Sequence, residues 1–174
     1  MNSLVNLKSW RQEKFDQFKL DLNVGKLTKA ICRLTDQQLI NSWNEHNLNQ
    51  LATLVAVGGF GRAELFPYSD VDILVLLDDD LTEKELSEIN PRIESFITKC
   101  WDLGLEIGSS VRNIRECLQE ANADITVRTA LLESRLIAGN RKIYKKFLAE
   151  YDQAMDIKAF YQAKLLELRQ RHHK

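Results

Sequence analysis

Proline and glycine are scarce in this chain of 174 residues, at two and seven. No low-complexity linker and no internal repeat is visible, so one compact domain with helical flanks is expected. Long apolar runs are missing as well: none approaches the roughly 20 residues that a bilayer-crossing helix requires. The first residues, Met1 to Lys8, hold no long apolar core and no cleavage site. A secretory signal is therefore not expected, and the cytoplasm is the expected compartment. Cys32, Cys100 and Cys117 are odd in number and lack metal-ligand or CxxC spacing. They read as small apolar residues in a reducing compartment rather than as disulfides. Neither sign of charge dominates, and a formal net charge of −1 excludes a generally basic nucleic-acid binder. Positive charge does gather in the last third, at Arg141, Lys142, Lys145, Lys146, Lys164, Arg169 and Arg171. Solvated helix faces are the plain reading of these residues, and a docking surface for an acidic partner is the alternative.

What the chain does contain is concentrated between residues 53 and 77. The apolar run Thr53-Leu54-Val55-Ala56-Val57 leads into Gly58-Gly59-Phe60-Gly61-Arg62, and Ser69-Asp70-Val71-Asp72 opens a second apolar run, Ile73 to Leu77. Both runs read as strands, 51–57 and 71–77. Residues i and i+2 of a strand share a face, so Asp70 and Asp72 project side by side. Two ionised carboxylates that close repel each other unless a cation lies between them.

Around this block the periodicity predicts helices over about 4–22, with Trp10, Phe15, Phe18 and Leu22 on one stripe, and over about 26–46. Arg62 to Phe66 is expected to form a short helical turn that Pro67 stops. Asp78-Asp79-Asp80 is read as a solvated acidic turn in preference to a second metal site. Thr82-Glu83-Lys84-Glu85 is a capping box that starts a helix, and Asn90-Pro91 reads as a second start, with that helix ending near Gly104. Leu105 to Val111 reads as a third strand, and Asn113-Ile114-Arg115-Glu116 as another capping box. Asp124 is expected to cap a helix running to about Ala138, stopped by Gly139-Asn140. Helices over about 141–151 and from 156 to the end follow. His46, His172 and His173 read as solvated or incidental.

The glycine turn is not a Walker A loop, since no Gly-Lys-Ser/Thr follows, and Glu64 stands where a dinucleotide fingerprint needs its third glycine. It does offer bare backbone whose N–H groups can approach phosphate oxygens. Nucleotidyl transfer needs this combination. Two Mg²⁺ ions roughly 4 Å apart activate the attacking oxygen and neutralise the leaving one. Mg²⁺ prefers carboxylate, phosphate and water oxygens, which paired aspartates supply. A third carboxylate completes such a site, and Glu106, between Leu105 and Ile107, is the candidate. The solvent side of an edge strand is the other reading of Glu106.

The pattern Gly58-Gly59-x-Gly61-Arg62-x-Glu64-Leu65-x-Pro67-x-Ser69-Asp70-x-Asp72 resembles the DNA polymerase β-like nucleotidyltransferase superfamily. More narrowly, it is similar to the N-terminal catalytic domains of the bacterial protein-PII uridylyltransferase family, the bifunctional uridylyltransferase/uridylyl-removing enzymes. Trp101-Asp102-Leu103-Gly104-Leu105-Glu106-Ile107-Gly108 and Leu131 to Gly139 carry the same resemblance. It implies an α+β (α/β) fold of the polymerase β-like type, a small mixed sheet with flanking helices and a helical C-terminal extension. The implied division is N-terminal helices over 1–50, a nucleotidyltransferase core over 51–122 and the extension over 123–174. The implied activity is transfer of UMP from UTP to a tyrosine of the PII signalling protein, with Mg²⁺ and release of pyrophosphate.

By position, the resemblance makes Asp70 and Asp72 the metal-holding catalytic carboxylates, joined by Glu106. Gly58 and Gly59 shape the phosphate turn, and Arg62 and Ser69 contact phosphate, unless Arg62 braces the turn through a carboxylate such as Glu64. Position 63 departs from the family pattern, with alanine where glycine is usual, and a positive φ there would strain the turn by roughly 1 kcal/mol. No His-Asp hydrolase motif and no ligand-sensing domains are present, so the transferase half of a longer enzyme is expected. A nucleotide-binding module without turnover, and transfer to another acceptor, are the alternatives.

Overall fold

Ala52–Ala56 forms β1, and all five residues are buried, so its backbone groups must be paired on both sides. In the computed structural model, which describes residues 7–172, Val71–Leu77 (β2) pairs antiparallel with β1 on one side. Arg135–Gly139 (β4) pairs antiparallel with it on the other, across a register shift between Leu54 and Val55. Ile107–Asn113 (β3) runs parallel to β2 at the edge, giving the order β3-β2-β1-β4.

Helices cover both faces of this mixed sheet. On one face, even positions of β1 and odd positions of β2 meet α2 (Val24–Glu45) and α4 (Glu83–Asp102) through Ile31, Leu39, Trp43, Ile93 and Phe96. Trp43 and Phe96 are fully buried, with rings edge to face and centroids 5.2 Å apart. On the other face, Val55, Leu74 and Leu76 meet α5 (Ile114–Ala123), α6 (Ile125–Leu132) and α7 (Arg141–Ala154) through Ile114, Cys117, Leu131, Ile143 and Phe147. The leading helix α1 (Leu7–Asp21) lies on α2, and α8 (Ile157–His172) closes the described chain.

Several elements differ from their sequence reading. The helix expected to run from Asp124 to about Ala138 stops at Leu132, and residues 135–139 become β4. The sheet thus draws on residues well past 122, because the free side of β1 demands a partner. The helix expected to restart at Asn90-Pro91 is one continuous α4 with Pro91 inside it. The face Ile89, Ile93, Phe96 and Cys100 runs unbroken past the proline and holds the helix on the core. The short helical turn falls on Gly58–Gly61 (α3), ahead of the expected 62–66. Leu22 leaves the α1 stripe: it lies beyond the helix end, at φ 52° and 73% exposed. Phe15 and Phe18 do pack against the core. The side chain of Trp10 and residues 4–6 lie outside the described residues.

Both capping boxes form as read, Thr82 with Glu85 and Asn113 with Glu116. The acidic turn is tied down by protein groups: Lys146 binds Asp78 at 2.9 Å, and the Arg115 backbone N–H donates to Asp79 at 3.0 Å. The Lys146 hydrogen bond holds Asp78's carboxyl below the usual carboxylate range. All three cysteines are free and buried, and burial pushes Cys100 and Cys117 up to about 12. His46 hydrogen-bonds the Ser42 carbonyl and the Ser95 hydroxyl.

β4 also carries the arginine that locks the layers together. Arg135 donates to both oxygens of Asp36 on α2, at 2.9 and 3.0 Å, and to the Phe60 carbonyl at 3.2 Å. Its guanidinium lies 5.3 Å from the centre of the Phe60 ring. Both partners of the fork are largely shielded, so its removal strands a charge. Asp36→Ala is expected to lower stability by about 2 kcal/mol, read as a shifted urea midpoint. An unchanged midpoint would mean that this fork does not hold α2 to β4.

Candidate active site

The chain leaves β1 through Val57, whose N–H donates to the Asp72 carbonyl at 3.1 Å and ties the exit of β1 to the start of β2. Gly58 then turns at φ +57°, a conformation open to glycine. The first bond of α3 runs from the Gly61 N–H to the Val57 carbonyl, so the amides of Gly58, Gly59 and Phe60 precede the helical ladder. The turn faces the carboxylate: a Cβ at Gly58 would lie 3.8 Å from Oδ2 of Asp72. At Gly61 a side chain would collide with the Glu133 carbonyl, because the end of α6 packs straight onto the turn.

Asp72 is the second residue of β2 and points to the same face as Leu74 and Leu76, at the strand end that the helices leave open. Its register partner on β3 is Gly108, where a Cβ would come within 2.6 Å of Oδ1. A larger residue at 108 would displace the carboxylate. Asp70 lies just before the strand. Desolvation raises Asp72's carboxyl above the usual range, and the neighbouring charge of Asp70 raises it further. The predicted repulsion is thus present, and a cation between the two would relieve it.

Glu106 stands just ahead of β3, exposed, instead of inside the strand. Its carbonyl accepts from the Val71 N–H at 2.8 Å, so the parallel register sets it beside Asp70. Its side chain lines a cavity of about 260 Å³ with Ser69, Pro67, Tyr68, Gly104, Gln12 and Phe15. Asp72 lines a different groove of about 360 Å³. Among the described residues, no three His, Cys, Asp or Glu side chains form a cluster able to hold a metal ion. Asp70, expected on the strand with Asp72, stands one residue ahead of β2 yet close enough for its charge to act on Asp72, and Glu106 is not gathered into one cluster with them.

Arg62 keeps its guanidinium beside Gly59 and engages two carboxylates, the bracing expected as the alternative to phosphate contact. It donates to Glu64 at 3.1 Å and to Glu133 at 2.5 Å, and so braces the turn against α6. Ala63 has φ +60°, so the strain expected from alanine in place of glycine is real. The sequence reading missed the far wall of the 360 Å³ groove: Gly108, Ser109, Ser110 and Arg112 on β3 with Thr126 on α6. The i, i+2 spacing of Gly108, Ser110 and Arg112 was the available signal, since it puts them on Asp72's face.

A strand, a glycine turn and a second strand headed by paired carboxylates, on a mixed sheet, define a domain built for phosphoryl chemistry on nucleotides. The chain belongs to the nucleotidyltransferase domain family, whose model matches residues 36–132. It is 49% identical over 168 residues to a bifunctional uridylyltransferase/uridylyl-removing enzyme of Cupriavidus pinatubonensis. It is 50% identical over 170 residues to those of Burkholderia mallei and Burkholderia thailandensis. These alignments cover 97–98% of the chain and 19% of each relative, so the chain spans about a fifth of their length. A chain of the Shewanella oneidensis HEPN toxin–MNT antitoxin complex is similar at a TM-score of 0.41 and 16% identity, covering 82% of this chain and 99% of that one.

Two outcomes are expected from the turn and the pair. Ala63→Gly relieves the left-handed strain and should raise unfolding stability by about 1 kcal/mol; equal or lower stability in a denaturant titration would remove strain from the account. Because Asp72's folded-state pKa is raised, its ionised form costs stability at neutral pH, and the cost disappears as pH falls through the raised value. Asp72→Asn should therefore melt at a higher temperature than the parent near pH 7. The gap should close as pH approaches the ordinary value of 3.8.

Proposed function

We propose that this domain transfers UMP from UTP to a tyrosine of the PII signalling protein, with Mg²⁺ and release of pyrophosphate, in the cytoplasm. One observation carries the reading: paired aspartates facing a glycine turn, in a chain about 50% identical along nearly its whole length to uridylyltransferase/uridylyl-removing enzymes. The donor set fits a hard divalent cation. It consists of carboxylate oxygens, and glycines at 58 and 108 leave room around Asp72.

Asp70 and Asp72 would hold the metal. When bound, Mg²⁺ activates the attacking oxygen and neutralises charge on the departing pyrophosphate. Gly58 and Gly59 let the triphosphate approach the backbone amides at the start of α3, and the Ser69 hydroxyl donates to it from the other side of the pair. Arg62 keeps that turn in shape through Glu64 and Glu133. Glu106 orients the acceptor hydroxyl or takes its proton as the tyrosine oxygen bonds to the α-phosphorus and the bond to the pyrophosphate oxygen breaks.

Incubation with α-labelled UTP, Mg²⁺ and PII tests this directly. Label should pass to PII, disappear with a chelator, and fall on the order of 100-fold or more in Asp72→Asn. Undiminished labelling in that variant would sink the metal role, and UTP binding without transfer would mark a binding module.

A further inference from the structure

The residues on either side of Asp70 open onto two cavities of different chemistry, Ser69 onto one and Asp72 onto the other. The 360 Å³ groove on Asp72's side is lined by Arg112, which also lies 3.9 Å from Glu120, with Ser110 and Thr126, a lining for anionic oxygens. The 260 Å³ cavity on the Glu106 side carries two aromatic rings, Tyr68 and Phe15, together with Pro67, Gln12 and Ser69. Proteins hold bases by stacking them on such rings, with a few polar groups at the edge.

We infer that the cavity between α1 and the Pro67-Tyr68-Ser69 turn takes the nucleobase of the nucleoside triphosphate, with Tyr68 as its stacking platform. This rests on the transferase reading above and names the part of the site that distinguishes a nucleotide from a bare polyphosphate. Tyr68 is 86% exposed, so one ring face is free for a ligand. The turn that presents it is fixed by the Ser69 N–H donating to the Phe66 carbonyl at 3.1 Å. Phe15 is half-buried against the core and forms a firm apolar wall. Gln12, whose amide N–H donates to Asp16, adds a polar side chain to the cavity wall at which a base edge can be hydrogen-bonded. Tyr68 precedes Asp70 by two residues, at most about 7 Å of backbone. A base stacked there keeps its own α-phosphate within reach of the pair. The size also favours this occupant: about 260 Å³ lies just below the roughly 300 Å³ at which pockets for drug-sized ligands begin. It suits a nucleoside better than a folded acceptor's loop.

Equilibrium binding of UTP and of tripolyphosphate, each with Mg²⁺, to the parent, Tyr68→Ala and Tyr68→Phe decides the matter. The parent should bind UTP more tightly than tripolyphosphate. Tyr68→Ala should weaken UTP between about 5- and 150-fold while leaving tripolyphosphate unchanged, and Tyr68→Phe should keep UTP within about twofold. Equal weakening of both ligands would make Tyr68 a structural or phosphate-side residue and overturn the inference. So would unchanged UTP binding with a raised KM for PII, which would give the cavity to the acceptor. Parent protein that binds tripolyphosphate as tightly as UTP would remove the base subsite and leave the phosphate site standing. Parent protein that binds neither would remove the transferase reading and this subsite with it.

Discussion

A strand buried along its whole length cannot leave a backbone amide or carbonyl unpaired, and β1 is such a strand. That constraint organises the molecule. It draws β2 back antiparallel on one side and recruits β4 on the other. Because β1 is hemmed in, the chain must leave it sharply, through a glycine in a left-handed conformation and straight into the single turn of α3. The glycine turn and Asp72 face each other because consecutive antiparallel strands bring the exit of one beside the entrance of the next. The hydrogen bond from Val57 to Asp72 is that junction.

The second layer of the site follows from what is packed around the junction. Gly61 accepts the end of α6 at a distance no side chain would allow, and Arg62 reaches across the contact to Glu133. Arg135 does the corresponding work on the opposite face, joining α2, β4 and the Phe60 carbonyl. The turn is thus clamped from both faces of the sheet by two guanidinium groups, Arg62 on Glu64 and Glu133 and Arg135 on Asp36 and the Phe60 carbonyl, which is how a short strained loop is kept in one conformation. Gly108 completes the arrangement by leaving space for a carboxylate that would otherwise meet a side chain.

Much of this was legible in the chain. The capping boxes at Thr82 and Asn113 each need four consecutive residues, and both formed as read. The apolar run Ile73 to Leu77 told where the second strand lies, and Ala63 announced its own strain. The illegible parts share one cause. Arg135 to Gly139 fits a helix as well as a strand by local pattern, and pairing with β1 decides it. Pro91 looks like a start until the continuous buried face of α4 carries the helix through it. Bracing of Arg62 through nearby Glu64 was legible, but its second carboxylate, Glu133, stands 71 residues later and was not.

The sequence by itself determined that a glycine turn is followed by a strand opening on Asp72 with Asp70 just ahead of it, because the apolar run of a strand and the freedom of glycine are properties of a few neighbouring residues. It also determined where several helices begin, for the same local reason. Only the tertiary structure decided that Glu106 faces a different cavity from Asp72, that β3 supplies Gly108, Ser110 and Arg112 to the groove, and that Tyr68 and Phe15 meet across a second one. Cavities are made by segments far apart in the chain. Their walls exist once burial of β1 has fixed which strand and which helix lie against it.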